Sequence, residues 1–196
     1  GLYKNQILML DILSKNDWKR PIYFTGGSYK DSEYIWMKDF LQLDGLVYKL
    51  VPIKTPVNRE NPYQMGRIER DRMYNIIKKW EWGNSESPDI YHDPETRKNS
   101  ISFRGNLHRL ANKFIDNEEF EKANEIMDLS FEKMPIDFFE YYSLSEPYIL
   151  SYYKIGEDKK AQNLYRTIEA KYLDQIKYYS ISVSYTHLRA HETFAN

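Results

Sequence analysis

Apolar residues recur along this chain with two different periods, and the changes of period mark its elements. Leu2, Ile7, Leu8, Leu10, Ile12 and Leu13 predict a helix over 2–15, ended by the polar pair Asn16–Asp17. The run from Arg20 to Thr25 predicts a short strand. Proline stands near its start, β-branched and aromatic residues follow, and Gly26–Gly27 breaks it. Ser28 and Asp31 have capping-box spacing, and Tyr34, Ile35, Met37, Phe40 and Leu41 form the apolar face of a second helix. Asp44–Gly45 ends that helix, and Leu46 to Val51, closed by Pro52, predicts a second strand. Helix–strand–helix–strand makes a small α/β unit over 1–57.

The pattern changes over 58–100, which reads as a connection. The stretch from Thr55 to Pro62 is polar. A helix is predicted from Tyr63 to Trp82, with Met65, Ile68, Met73, Ile76, Ile77 and Trp80 on or near one face. Gly83 to Ser100, with Pro88 and Pro94, reads as loop. From Ile101 onward the period is helical throughout. Leu107, Leu110, Ala111 and Phe114, then Ala123, Met127 and Pro135, fit the large, small and terminating positions of one tetratricopeptide helix-turn-helix repeat. A second such unit is set by Ile149, Tyr152, Tyr153, Ala161, Tyr165 and Ile168. Ala161 follows Ala123 by 38 residues, so a repeat of about 34 has gained a few, placed at Phe138–Phe139 and Tyr141–Tyr142. The expected fold class is α+β, mostly α: the small α/β unit capping TPR-like helical hairpins over 101–180.

Residues 181–196 stand apart. Val183 to Thr193 resembles an in-frame translation of a transposase sequencing adapter, so the expectation is a non-native tail. His187 and His191, one helical turn apart, would otherwise suggest a pair of metal ligands.

Composition narrows the possible functions. Hydrophobic content of 41% and charged content of 29% belong to a globular protein. Lys plus Arg number 28 against 29 Asp plus Glu, which disfavours a nucleic-acid partner. A mean hydropathy of −0.74 argues against a membrane span within these residues. There is no cysteine, so disulfides and thiolate chemistry are absent. The 18 tyrosines suit both cores and wet interfaces.

Candidate chemistry is sparse. A strand followed by Gly26-Gly27-Ser28 and a helix start could cradle phosphate, but neither P-loop nor dinucleotide fingerprint is present, and a tight turn is the simpler reading. His92, Asp93 and Glu95 are too close in sequence to aim three ligands at one point, so Asp93–Pro94 reads as a turn. His108 lies among the repeat-forming leucines and is expected in a groove or at the surface. Trp18 to Tyr23 packs two aromatics and two cations into six residues. Trp18 and Tyr23 are either core residues or, with Arg20, an interface, since Trp, Tyr and Arg dominate binding hot spots. The candidate binding residues are therefore Trp18, Arg20, Tyr23 and His108. No catalytic residue, metal ligand or cofactor is assigned.

Taken together, Asn16 to Phe24 (Asn-Asp-Trp-Lys-Arg-Pro-Ile-Tyr-Phe), Asp44 to Pro52 and the helical end resemble the C-terminal region of a bacterial family of large multi-pass membrane proteins, domain of unknown function 2723. The resemblance covers most of 1–180. It implies a GT-C, protein O-mannosyltransferase-like parent whose catalytic carboxylate precedes this segment. This chain would then be a periplasmic (extracytoplasmic) accessory domain, non-catalytic by itself, positioning an acceptor protein or bracing the membrane part. The partners this implies are the N-terminal membrane domain and the acceptor protein. A stand-alone peptide-binding TPR adaptor and a small nucleotide-binding α/β protein are the alternatives.

Overall fold

The computed structural model describes residues 1, 3–25, 37–56 and 65–193, with side chains to residue 180. Helix α1 (Lys4–Asn16) leads into strand β1 (Tyr23–Thr25). A short 3-10 turn at Lys38–Phe40 precedes β2 (Leu41–Asp44) and β3 (Val47–Leu50). Helix α2 (Arg70–Ile77) is followed by the long α3 (Pro94–Ile115), α4 (Phe120–Lys133) and the one-turn α5 (Ile136–Phe139). Helices α6 (Glu146–Lys154) and α7 (Asp158–Thr193) complete the chain. The fold is mostly helical with a small antiparallel sheet, α+β as expected. Among the described residues no helix is long and apolar enough to cross a membrane.

The sheet has the order β1-β3-β2, both pairs antiparallel. This corrects the sequence reading, in which Phe40 and Leu41 continued a helix stopped by Asp44–Gly45. Asp44 pairs with Val47, so Gly45–Leu46 is a two-residue hairpin loop with its glycine first, at φ +76°. Asp-Gly between two apolar runs is a hairpin signal as much as a helix stop, and here the partner strand decides. Side-chain bulk is barred too: a Cβ on Gly45 would sit 2.7 Å from Trp80 Cζ2. Ser28, Asp31, Tyr34 and Ile35 of the predicted helix lie outside the described residues, as do Gly26–Gly27.

The helix predicted from Tyr63 to Trp82 is also shorter. Residues 65–67 run alongside β2, with Leu43 N–H donating to Arg67 O at 2.8 Å and Arg67 N–H to Leu41 O at 2.9 Å. Only after Glu69, whose carboxylate accepts from Arg72 N–H at 2.8 Å, does α2 begin. A strand edge needing partners outweighs helical periodicity over these residues. Likewise Asp93–Pro94 is no simple turn. Asp93 caps α3, accepting from Glu95 N at 2.9 Å and Thr96 N at 3.1 Å, with proline at the first helical position. Helix α3 thus starts before the predicted Ile101.

Helices α3 and α4 form the expected hairpin. Leu107, Leu110, Ala111, Phe114, Ala123 and Met127 are all fully buried. Helices α6 and α7 form a second hairpin, with Tyr152, Ala161 and Ile168 inside. Tyr153 and Tyr165, expected as contacts, are exposed, and Tyr148 and Leu164 are buried instead, because the buried stripe passes one residue to the side. Between the hairpins, α5 and the 3-10 turn Tyr142–Leu144 take up the extra length near Phe138 to Tyr142.

The two hairpin turns are built alike. Glu118 N–H donates to Ile115 O at 3.0 Å and Glu119 N–H to Phe114 O at 2.9 Å. Thirty-eight residues on, Gly156 N–H donates to Tyr153 O at 3.1 Å and Glu157 N–H to Tyr152 O at 2.9 Å. Both are Schellman caps, which place one residue in the left-handed region. Gly156 (φ +81°) takes that conformation freely; Glu118 (φ +61°) does not. Glu118→Gly is therefore expected to stabilise the fold by about 0.5–1 kcal/mol. Nothing lies within 4 Å of a Cβ on Gly156, so Gly156→Ala should cost about 1 kcal/mol from backbone strain alone. Urea midpoints at unchanged m-value measure both.

One cluster of buried side chains runs from Phe24 in β1 to Ile168 in α7. Asn106 Nδ2 donates to Gly45 O at 2.8 Å and Arg109 Nη2 to Gly66 O at 2.7 Å, tying α3 to the sheet side. Arg104 is wholly buried beneath the second hairpin, its guanidinium 5.0 Å from the Phe131 ring centroid and donating to Met134 O and Ser145 Oγ. Burial pulls its pKa down to about 10.

Candidate binding face around Trp18 and Tyr23

After α1 the chain must turn sharply into β1, and Asn16 makes the turn. Its Nδ2 donates to Arg20 O at 2.7 Å, and its Oδ1 accepts from Arg20 N–H at 3.2 Å. The loop so closed holds Asp17 at φ 47° and Trp18 at φ 57°. Two consecutive left-handed residues, one of them bulky, carry backbone strain. Pro21 keeps Arg20 extended and delivers Tyr23 to β1 opposite Lys49.

The result is an exposed aromatic and cationic face rather than core. Trp18 is 54% exposed and Tyr23 44%. With Lys19, Arg20, Lys49 and Arg72 they line a cavity of about 340 Å³. Beneath it Asp44 is buried, its Oδ2 accepting from Arg72 Nε at 2.9 Å and its Oδ1 from Gln42 Nε2 at 2.9 Å. Arg72 Nη2 also donates to Tyr23 Oη at 3.2 Å. The hydrogen bond and charge of Asp44 raise the Arg72 pKa above its ordinary value. Arg72 therefore stays cationic while fixing the Tyr23 ring. Four cations around two aromatics, with one carboxylate held below and Asp17 Oδ2 3.6 Å from Lys19 Nζ, suit an apolar partner surface edged with acidic groups.

Three of the four predicted residues meet on this face; His108 does not. It sits half-buried between α3 and α6, its ring centroid 4.7 Å from that of Tyr148. Its Nε2 lies 2.9 Å from Ser151 Oγ. The Ser151 hydroxyl points to Asn112 Oδ1 at 3.1 Å and Pro147 O at 3.2 Å, so the Nε2–H tautomer completes the chain. Burial, with some help from Lys154, lowers the His108 pKa to about 4. A neutral histidine bridging two helices differs from the expected groove or surface residue. The apolar spacing of Leu107 and Leu110 is flanked by His108 and Asn112, and that flanking polar pair was the available signal.

Asp44 and Arg72 were missed. Asp44 read as part of a helix stop, and Arg72 is 28 residues away from it; only the hairpin brings them together. Among the described residues no group of three or more histidine or carboxylate side chains is close enough to hold a metal ion.

The segment that builds this face is the one with a family match. Residues 1–72 match the family model of TMEM260-associated domain 2. That family is linked to a membrane glycosyltransferase-like protein. The matched segment spans α1, the sheet and the first residues of α2, so it contains Trp18, Arg20, Tyr23, Asp44 and Arg72. No curated protein and no solved structure matches the chain.

Proposed function

We propose that this chain is a C-terminal, extracytoplasmic accessory region of a membrane-embedded glycosyltransferase related to protein O-mannosyltransferases, of the kind gathered in domain of unknown function 2723. It positions an acceptor or braces the membrane part and transfers no sugar by itself. The observation that carries this reading is the TMEM260-associated match over the segment with the strained, exposed Trp18–Tyr23 face. Helix α1 leads into that face in the chain. It has no buried residue, and Ile7, Leu8, Leu10 and Ile12 are all exposed. Exposed apolar residues on the helix next in sequence to a Trp–Arg–Tyr cluster support an intramolecular docking surface.

Reading the gene upstream of Gly1 tests the proposal. A series of long apolar segments is expected, and their absence overturns it. Sugar transfer by the purified chain would overturn the non-catalytic part.

Trp18 offers a sharper test. Trp18→Gly relieves a left-handed tryptophan and should stabilise the isolated fold by about 1 kcal/mol. The same change should weaken co-purification with the membrane part. A stabilised variant that docks normally would remove Trp18 from the interface.

A second reading, a TPR-type adaptor that binds peptides on its hairpins, is supported by the two equivalent Schellman turns 38 residues apart. Peptide-array binding that survives Trp18→Gly but not changes on α3 and α6 would favour it.

A further inference from the structure

The two helical hairpins repeat with an offset of 38 residues, so positions on the first have equivalents on the second. Ala123 and Ala161, one such pair, are both fully buried. The first hairpin is covered by the second, with α6 resting on both α3 and α4. Tyr148 puts its ring 4.7 Å from that of His108 and 4.9 Å from that of Phe131. Ser151 Oγ donates to Asn112 Oδ1 at 3.1 Å and Tyr152 Oη to Asp128 Oδ1 at 2.9 Å. From α7, Lys160 Nζ donates to Asp128 Oδ2 at 2.6 Å.

The equivalent face of the second hairpin has no such cover among the described residues. Leu150 and Tyr153 stand where the first hairpin has Asn112 and Ile115, and both are exposed. Tyr165 stands at the position of Met127 and is 52% exposed, whereas Met127 is fully buried. Arg166 stands at the position of Asp128; it is exposed, and its guanidinium has no hydrogen bond or ion pair among the described residues. Further along α7, Leu173 and Ile176 are exposed too. At about 100° per residue, Tyr165, Arg166, Leu173 and Ile176 fall within about 100° of arc, on one side of α7. A stack of hairpins that ended here would present a polar outer face. This one presents five large apolar side chains and an unpaired cation.

We propose that this face docks a further amphipathic helix, which follows the second hairpin in the natural polypeptide in place of the adapter-like tail. It sits as α6 sits on the first hairpin and sets a carboxylate opposite Arg166. Two observations choose that occupant. The charge is reversed: Asp128 receives a hydroxyl and an ammonium, so Arg166 at the same position calls for an anionic group. The face is also small, because α6 has only nine residues. Five part-exposed side chains at roughly 100 Å² each fall short of the roughly 800 Å² a side that separate proteins bury in stable association. A helix on the same chain needs less contact, since its effective concentration is on the order of millimolar.

The test is hydroxyl-radical labelling of the natural full-length protein beside the present chain. Tyr165 and Leu150 should label readily in the present chain and about fivefold less in the natural protein, the change from half exposed to buried. Deleting the natural residues after the second hairpin should restore the labelling. Arg166→Glu in the natural protein should restore it as well, by setting like charges together. In the present chain, where Arg166 is exposed, the same change should leave the urea midpoint nearly unmoved. If the Arg166→Glu protein does not fold, labelling of the unaltered proteins decides the matter. Equal labelling in the two proteins would overturn the proposal, as would a natural sequence with no apolar helical period after residue 180. Protection that survives the deletion would overturn it in favour of the membrane part or another protein. Protection that grows with the concentration of the present chain would overturn it in favour of a second copy.

Discussion

Tyr148→Ala should lower the unfolding free energy by about 3–5 kcal/mol, a large part of the roughly 5–15 kcal/mol that holds a domain together. Tyr148 is fully buried where the two hairpins meet. Its ring centroid lies 4.7 Å from that of His108 on α3 and 4.9 Å, edge-on, from that of Phe131 on α4. Its hydroxyl donates to Arg104 O at 2.7 Å and lies 3.2 Å from Ser130 Oγ. Truncation removes all of these at once and leaves a cavity bordered by helices that cannot close on it. Burial also drives the phenol pKa upward, so the hydroxyl stays a donor at any pH where the fold persists. Tyr148→Phe separates the contributions. It keeps the ring packing and should cost only about 1 kcal/mol. Urea denaturation of both variants checks the pair; equal losses would mean the hydroxyl, not the packing, holds the hairpins.

Acid should weaken the fold through His108. Its folded pKa is about 4, against an ordinary value of 6.5. Between those values the unfolded chain binds a proton that the folded chain refuses, so stability rises with pH across this window. The contribution is fully present above about pH 6.5 and is lost as pH falls towards 4, reaching about 3 kcal/mol. The cause is mainly burial between α3 and α6, with Lys154 adding a like charge. The other ring nitrogen, Nδ1, lies 3.4 Å from the amide donor Asn112 Nδ2, a neighbour that favours the neutral imidazole. His108→Gln keeps a donor for Ser151 and cannot titrate. The difference between the stability–pH curves of the unaltered chain and this variant should slope between pH 4 and 6.5 and be flat above; a flat difference throughout would remove His108 as the acid-sensitive group.

These two residues show where sequence reading works and where it stops. Leu107, Leu110, Ala111, Phe114, Ala123 and Met127 were legible because a helix repeats about every 3.6 residues, so spacing alone places them on one buried face. Tyr148 escaped because the residues chosen for the second hairpin followed a repeat of fixed pattern. The stripe that packs against α3 and α4 passes one position aside, leaving Tyr153 exposed. Trp18, Arg20 and Tyr23 were legible as a candidate face because they are adjacent in sequence. Their exposure was not, since an aromatic beside a short strand serves core and surface equally well.

By itself the sequence determined the helical hairpins, the strands around Tyr23 and Val47, and the polar balance that argues against a nucleic-acid partner. Each rests on neighbours within about one turn of helix or one strand, where backbone period and turn chemistry act. Tertiary structure alone decided that Leu41 to Asp44 is strand, that residues 65–67 extend the sheet side, and that Arg72 reaches Asp44. It also decided that Trp80, Trp82, Phe103, His92 and Phe139 enclose one cavity. Such choices depend on hydrogen-bond and packing partners tens of residues away. A local pattern lists what a segment can become, and the distant partner selects among those outcomes.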